Sequence, residues 1–343
     1  MVAAIPLHLG LAILAALISA SIVRAMIAVQ VMDRPNPRKA HDRPVPKGGG
    51  VGIVLAFLLG MAFLYWSDPL AMGTGASIPA MIGASVFIAV VAFLDDLNDW
   101  PFLVKFAAQV IGAVVVVASG LMVAGDGWGL PGFIPGWLLT VLWILFVTNA
   151  MNFIDGVNGL ASGVTLIAGV FVGGIAAAHG GGFAYAACLL LAAGLAGFLP
   201  FNFPRARIFM GDVGSQFCGF LLAVLGVVAS RLPGLPLPGL LMPLLLSGVL
   251  FDVAFTLLRR AWSREAVTQP HRGHLYQVAH RAGVSPVVVT LLHWGFAAFG
   301  GLLFLTAPAS LPWLACLLAV LPQLVWAWYV TRRARTAGIG RWG

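Results

Sequence analysis

The chain has 343 residues, of which 61% are hydrophobic and only 9% are Asp, Glu, Lys or Arg. A soluble domain carries about 25% charged residues, and a mean hydropathy of +1.00 leaves too little polar surface to cover a globule of this size. A water-soluble enzyme, a secreted disulfide domain and a disordered chain are excluded, and the composition is that of a polytopic membrane protein.

A bilayer core needs about 20 apolar residues per helix. That length predicts eleven spans, at approximately 5–29, 49–66, 78–94, 103–124, 137–151, 159–178, 183–200, 215–230, 239–257, 287–306 and 311–330. The first run lacks an A-x-A exit and precedes a basic segment, so it reads as a retained helix rather than a cleaved signal. No repeat, low-complexity tract or long linker divides the chain. It reads as one all-α transmembrane unit over 1–343, with polar loops at 30–48, 95–102, 149–159, 201–215 and 258–286. Cys188, Cys218 and Cys316 sit in apolar runs without CxxC spacing, which argues against disulfides and zinc.

Alternating the spans places most charge on one face. Of the 19 Lys and Arg, Arg231 alone falls on the other side. The positive-inside rule then makes the basic face cytoplasmic, the N-terminus external and the C-terminus internal. The formal charge of +8, confined to short loops, points to lipid or phosphate-bearing substrate rather than nucleic acid. The acids collect on the same face, apart from Asp68 and Asp126, so the chemistry is expected there.

Five segments could carry it. The first loop runs from Asp33 to Gly50 and combines Arg38, Lys39, His41, Lys47, stiffening prolines and a glycine triplet. Such a loop can bring cations and backbone N–H groups to a phosphate, although a basic juxtamembrane segment binding anionic lipid is the plainer alternative. The second holds Asp95, Asp96 and Asp99. If helical, these lie three and four residues apart on one face, and clustered carboxylates at a membrane interface call for a divalent cation. The third places Asn149, Asn152, Asp155 and Asn158 at intervals of three, an array suited to a nucleobase or sugar hydroxyls. The fourth reads Asn202 to Ser215 with Gly211-Asp212-Val213-Gly214-Ser215 at a helix entrance, offering a carboxylate, N–H groups and close backbone approach. The fifth, His271-Arg272-Gly273-His274-Leu275-Tyr276-Gln277, follows Arg259-Arg260 and suits a phosphate or sugar nucleotide better than zinc.

Together and in this order, over residues 33 to 277, the segments resemble the polyprenyl-phosphate N-acetylhexosamine-1-phosphate transferases, the MraY/WecA-like glycosyltransferase family 4 superfamily. The late histidine motif, with Asp252 ahead of Arg259-Arg260, looks most like the WbpL-type O-antigen initiating enzymes. The resemblance implies transfer of HexNAc-1-phosphate from a UDP-N-acetylhexosamine to undecaprenyl phosphate with Mg²⁺ (or Mn²⁺) and release of UMP. It implies a multi-pass protein of the bacterial inner membrane, a cytoplasmic active site, a role in O-antigen or other cell-envelope polysaccharide synthesis, and a homodimer. By match to the family motifs, Asp95 and Asp96 are the catalytic carboxylate pair and Asp212 the catalytic magnesium ligand, with Asp96 beside it on the metal. Asn152, Asp155 and Asn202 fall at nucleotide-site positions, His271, Arg272 and His274 in the late motif, and Arg38, Lys39 and His41 in the first loop. Asn158 stands where most relatives carry Asp, and its expected role is a sugar-nucleotide contact.

Two other readings compete. A UbiA-type magnesium-dependent prenyltransferase would want a second Asp-rich motif of similar form. A transporter would want acids deep inside its helices.

Overall fold

The computed structural model describes residues 5–33, 44–67, 77–123, 135–235, 238–266, 271–308 and 310–339. In chain order the helices are α1 (Ile5–Val29), α2 (Gly50–Ser67), α3 (Ser77–Asn98), α4 (Phe102–Ala118), α5 (Gly136–Ile154), α6 (Leu160–Ala178), α7 (Gly182–Asn202), α8 (Gly211–Ala229), α9 (Leu241–Leu245), α10 (Ser247–Trp262), α11 (Leu275–Arg281), α12 (Pro286–Thr306) and α13 (Pro312–Thr336). Two short strands, β1 (Met32–Asp33) and β2 (Val45–Pro46), pair antiparallel between α1 and α2.

Nine of these helices are long and apolar enough to cross a membrane among the described residues. One bent pair makes a tenth if it is a single span, and the apolar α4 is shorter than a full crossing, so the described helices supply nine or ten of the expected eleven spans. The protein is therefore an all-α, multi-pass membrane protein. The predicted span at 239–257 is two pieces, since Pro238–Leu245 and Ser247–Trp262 meet at a 73° bend. Hydropathy runs unbroken through the bend, so composition cannot mark it. Pro243, which lacks an N–H for the ladder, and the Ser247-Gly248 pair stand beside it.

Nearly all of α8 is buried, and it packs against α3 and α5, while α7 packs on α1, α2 and α6. Lipid is as apolar as a leucine face, so close packing here needs small residues. Gly50 on α2 faces Gly214 on α8 so tightly that a Cβ on either would strike the other's backbone. Gly49 and Gly50 also donate their N–H groups to the Phe209 and Met210 carbonyls at 2.9 and 2.8 Å. The glycine triplet thus closes the first loop onto the Gly211 turn.

Helix ends move two expectations. α3 runs to Asn98, so Asp95 and Asp96 lie in its last turns rather than in a loop, and the predicted loop at 201–215 shrinks to 203–210. Asn202 ends α7, while Asp212 and Ser215 open α8.

Candidate active site

One end of the bundle gathers the polar motifs. Lys105, at the start of α4, places Nζ 2.7 Å from Asp95 Oδ2 and 2.9 Å from Asp212 Oδ2. Lys47, just before the glycine triplet, reaches Asp96 Oδ1 at 3.3 Å. Asp96 Oδ2 accepts the Val213 N–H at 3.1 Å, in the first turn of α8. Asp95 Oδ1 accepts the Trp100 N–H at 2.8 Å, which fixes the turn between α3 and α4. Asn152 donates to Asp212 Oδ1 at 3.0 Å and to the Ser215 hydroxyl at 2.9 Å, locking the Asp212 rotamer from α5.

The second, third and fourth segments therefore converge on three carboxylates, two of them nearly buried, at 5% exposure for Asp95 and 9% for Asp96. The backbone at Gly211 makes this convergence feasible. Its φ is +75°, and a Cβ there would lie 2.7 Å from Asp96 Oδ2, so both conformation and space require glycine. Beneath the carboxylates, Gln109, Asn149 and Gln216 join α4, α5 and α8 in a buried amide cluster.

Asp155 lies in the turn between α5 and α6, half-buried, with no side-chain hydrogen bond or ion pair among the described residues. Burial pushes its pKa well above the usual 3.8, and the Asp212 and Asp96 carboxylates push it further. A raised value in the folded state means that the folded protein holds this proton more tightly than the unfolded one. Stability then falls as pH rises from 3.8 toward the raised value, and the penalty is full above it. Asp155→Asn is expected to melt higher than wild type at pH 8, with the gap closing as pH falls. Thermal unfolding of the detergent-purified proteins across that range checks it, and a constant gap would contradict it.

Asn202, 4% exposed, accepts the Gly159 N–H at 2.7 Å and donates to the Ile208 carbonyl at 2.9 Å. Its amide ties the α5–α6 turn to the loop before α8. Asn158 donates to the Pro204 carbonyl at 3.2 Å. Both asparagines engage the backbone that frames the site. Arg38, Lys39 and His41 lie outside the described residues.

The late motif packs beside the carboxylate cluster, on the Asp155 side. Tyr276 donates its hydroxyl to the Phe153 carbonyl at 2.8 Å and lies against Gly156. His271 and His274 have ring centroids 4.9 Å apart. Burial, helped by His274 and the nearby Arg260 and Arg259, lowers the His271 pKa to about 4, so this ring is neutral at pH 7. Its Nδ1 accepts the Gly273 N–H at 3.2 Å. Arg272 presents its carbonyl to Arg281 at 3.3 Å. Arg260 pairs with Glu265 at 2.8 Å, and Arg259 lies 3.8 Å from the same carboxylate.

Lys105 is the participant that sequence reasoning missed. In sequence it is one of the 18 basic residues on the charged face, at a helix end where the topology rule alone accounts for it. The usable signal was its place four residues before Gln109, which puts two polar side chains on one face of an otherwise apolar helix. Among the described residues no three of His, Cys, Asp and Glu form a ready-made metal cluster.

A multi-pass membrane bundle with a carboxylate–lysine cluster at one end defines the class to which the comparisons add a family. Residues 78–230 match the family model described as glycosyl transferase family 4. The probable undecaprenyl-phosphate N-acetylglucosaminyl 1-phosphate transferase of Bacillus subtilis is 32% identical over 279 residues, 78% of this chain and 75% of that one. The decaprenyl-phosphate N-acetylglucosaminephosphotransferase of Mycobacterium tuberculosis is 31% identical over 299 residues, 78% of this chain and 74% of that one. A phospho-N-acetylmuramoyl-pentapeptide-transferase of Moorella thermoacetica is 32% identical over 215 residues, covering 59% of this chain and 65% of its own. The chain belongs to glycosyl transferase family 4, in its MraY/WecA-like superfamily.

Proposed function

We propose that this protein transfers an N-acetylhexosamine 1-phosphate from its UDP derivative to undecaprenyl or a related polyprenyl phosphate. The observation that carries the reading is the convergence of Asp95, Asp96 and Asp212 with Lys47 and Lys105 at one end of the bundle. The relatives named for N-acetylglucosamine transfer support that sugar as the donor group. The product would begin an O-antigen or another cell-envelope polysaccharide. The basic face carrying the cluster is assigned to the cytoplasm by the positive-inside rule, with the protein in the bacterial inner membrane, the N-terminus outside and the C-terminus inside. A homodimer is the proposed assembly.

In the reaction, a lipid phosphate oxygen attacks the sugar-bearing phosphorus. A new phosphoanhydride bond forms there, the bond to the uridylyl oxygen breaks, and UMP leaves with that electron pair. Two polyanions must approach, so catalysis is mainly charge neutralisation and in-line positioning. Lys47 and Lys105 supply cations at the mouth of the site. Asn152 holds Asp212 in place, and Asp155 and the late histidines border the space for the sugar nucleotide. A phosphate monoester has a second pKa near 6 and needs little deprotonation at pH 7, so Asp95 acts chiefly by position.

The donor set fits a hard divalent cation. Carboxylate oxygens predominate, and Mg²⁺ is commonly held by one or two carboxylates plus substrate phosphates rather than by a full protein cage. Asp212 and Asp96 would hold it, and it would supply Lewis-acid polarisation of the diphosphate. The UbiA-type reading fares worse, because the second acidic contribution is a single Asp212 on α8. The experiment is mass-spectrometric detection of the lipid product after incubation with undecaprenyl phosphate, Mg²⁺ and a panel of UDP-HexNAc donors. A polyprenyl-diphospho-HexNAc is the expected product. A prenylated acceptor would contradict the reading.

A further inference from the structure

Asp252 is a carboxylate that this reaction leaves without a task. It lies on α10, just past the bend, and is 1% exposed. Its partners come largely from one stretch of chain. Oδ1 accepts the Leu275 N–H at 3.0 Å, and Oδ2 accepts the Tyr276 N–H at 3.0 Å. His274 Nδ1 lies 3.1 Å from Oδ1, and the Thr256 hydroxyl donates to the same oxygen at 3.3 Å.

The two backbone bonds anchor the start of α11. The imidazole bond adds a constraint on the ring itself. An ionised carboxylate only accepts, so His274 Nδ1 carries the hydrogen, and the ring is held in one orientation with Nε2 turned away from Asp252. The His274 side chain is 5% exposed and also faces the Gln277 N–H in the capping box that opens α11. Phe153, with a ring centroid 5.7 Å away, and His271 flank this ring. Tyr276 ties the same turn to the end of α5, the helix that carries Asn152 to Asp212.

We propose that Asp252 is a positioning residue that fixes the tautomer and orientation of His274, so that Nε2 meets the phosphate groups of the sugar nucleotide. This rests on the reading above, in which the late histidine motif borders the donor. A carboxylate behind an imidazole serves the same purpose in metal sites and catalytic triads, where its loss misdirects the ring.

The test compares Asp252→Asn, His274→Asn and the double variant in full-length protein, by UMP release and by the UDP-sugar dissociation constant. Asn at 274 puts its amide where Nδ1 was, so the bond to Asp252 survives and only Nε2 is lost. Asp252→Asn is expected to lower kcat/KM about 10–100-fold, and to add nothing on the His274→Asn background in either readout. A merely structural Asp252 would produce independent, multiplying losses, which would overturn the proposal, as would wild-type behaviour of Asp252→Asn. Should Asp252→Asn not accumulate, Asp252→Glu is compared in the same way, since the longer arm displaces the ring while keeping the charge. Wild-type turnover and binding in His274→Asn would instead sink the reading of the late motif itself.

Discussion

Asp212→Asn and Asp95→Asn are each expected to cut UMP release by about 10³-fold or more, while the proteins still insert and purify as wild type does. The magnitude follows from what the carboxylates hold. Asp212 links Lys105, Asn152 and the first turn of α8, and Asp95 shares the same ammonium. Removing one charge from such a site forfeits the placement of the Lys105 ammonium and, at Asp212, a proposed ligand of the metal. Single electrostatic contributions in water-poor sites are worth about 10²–10³ each. Insertion survives because the spans are set by hydropathy, and neither substitution changes an apolar residue. Initial rates alongside gel-filtration profiles decide it. Wild-type rates in both variants would remove these residues from the site.

Replacing Lys105 by Met should be the second large effect, and it should act on stability as well as on rate. Without the ammonium, Asp95 and Asp212 face each other with no counter-charge between them. Breaking a fully buried pair costs about 3–5 kcal/mol, and an exposed one about 1 kcal/mol or less. The Lys105 and Asp212 side chains are 22% and 28% exposed, so a loss of about 2 kcal/mol is expected, with turnover down about 10²-fold. Added Mg²⁺ should raise the unfolding midpoint of Lys105→Met more than that of wild type, because a divalent cation can take over the neutralisation. Equal midpoints and equal responses to Mg²⁺ would contradict the role given to this lysine.

The spans were legible because lipid imposes a simple demand, an apolar run of the right length. The bend between α9 and α10 was not, since hydropathy continues through it. The acidic motifs were legible as chemistry because three separated Asp segments on one face have no structural excuse. What each neighbour does was hidden. Asn152 reads as a contact for a nucleobase or sugar, and in the fold its Nδ2 also donates to Asp212 and Ser215. The glycine triplet was read as a cradle for phosphate, yet the Gly49 and Gly50 N–H groups close onto α8's approach. In both cases the deciding partner lies far away in the chain, where local pattern carries no information. Lys105 was hidden for a different reason. A lysine at a helix end satisfies the topology rule, and that explanation left no reason to look further.

The phosphosugar transfer proposed at the Asp95–Asp96–Asp212 cluster depends on both the lipid and the metal. The most direct measurement is UMP release by the purified protein given undecaprenyl phosphate, Mg²⁺ and UDP-N-acetylglucosamine, with each component omitted in turn. Release is expected only when all three are present, and chelation of the metal should abolish it. UMP release that persists without the lipid or without the metal would rule this reaction out.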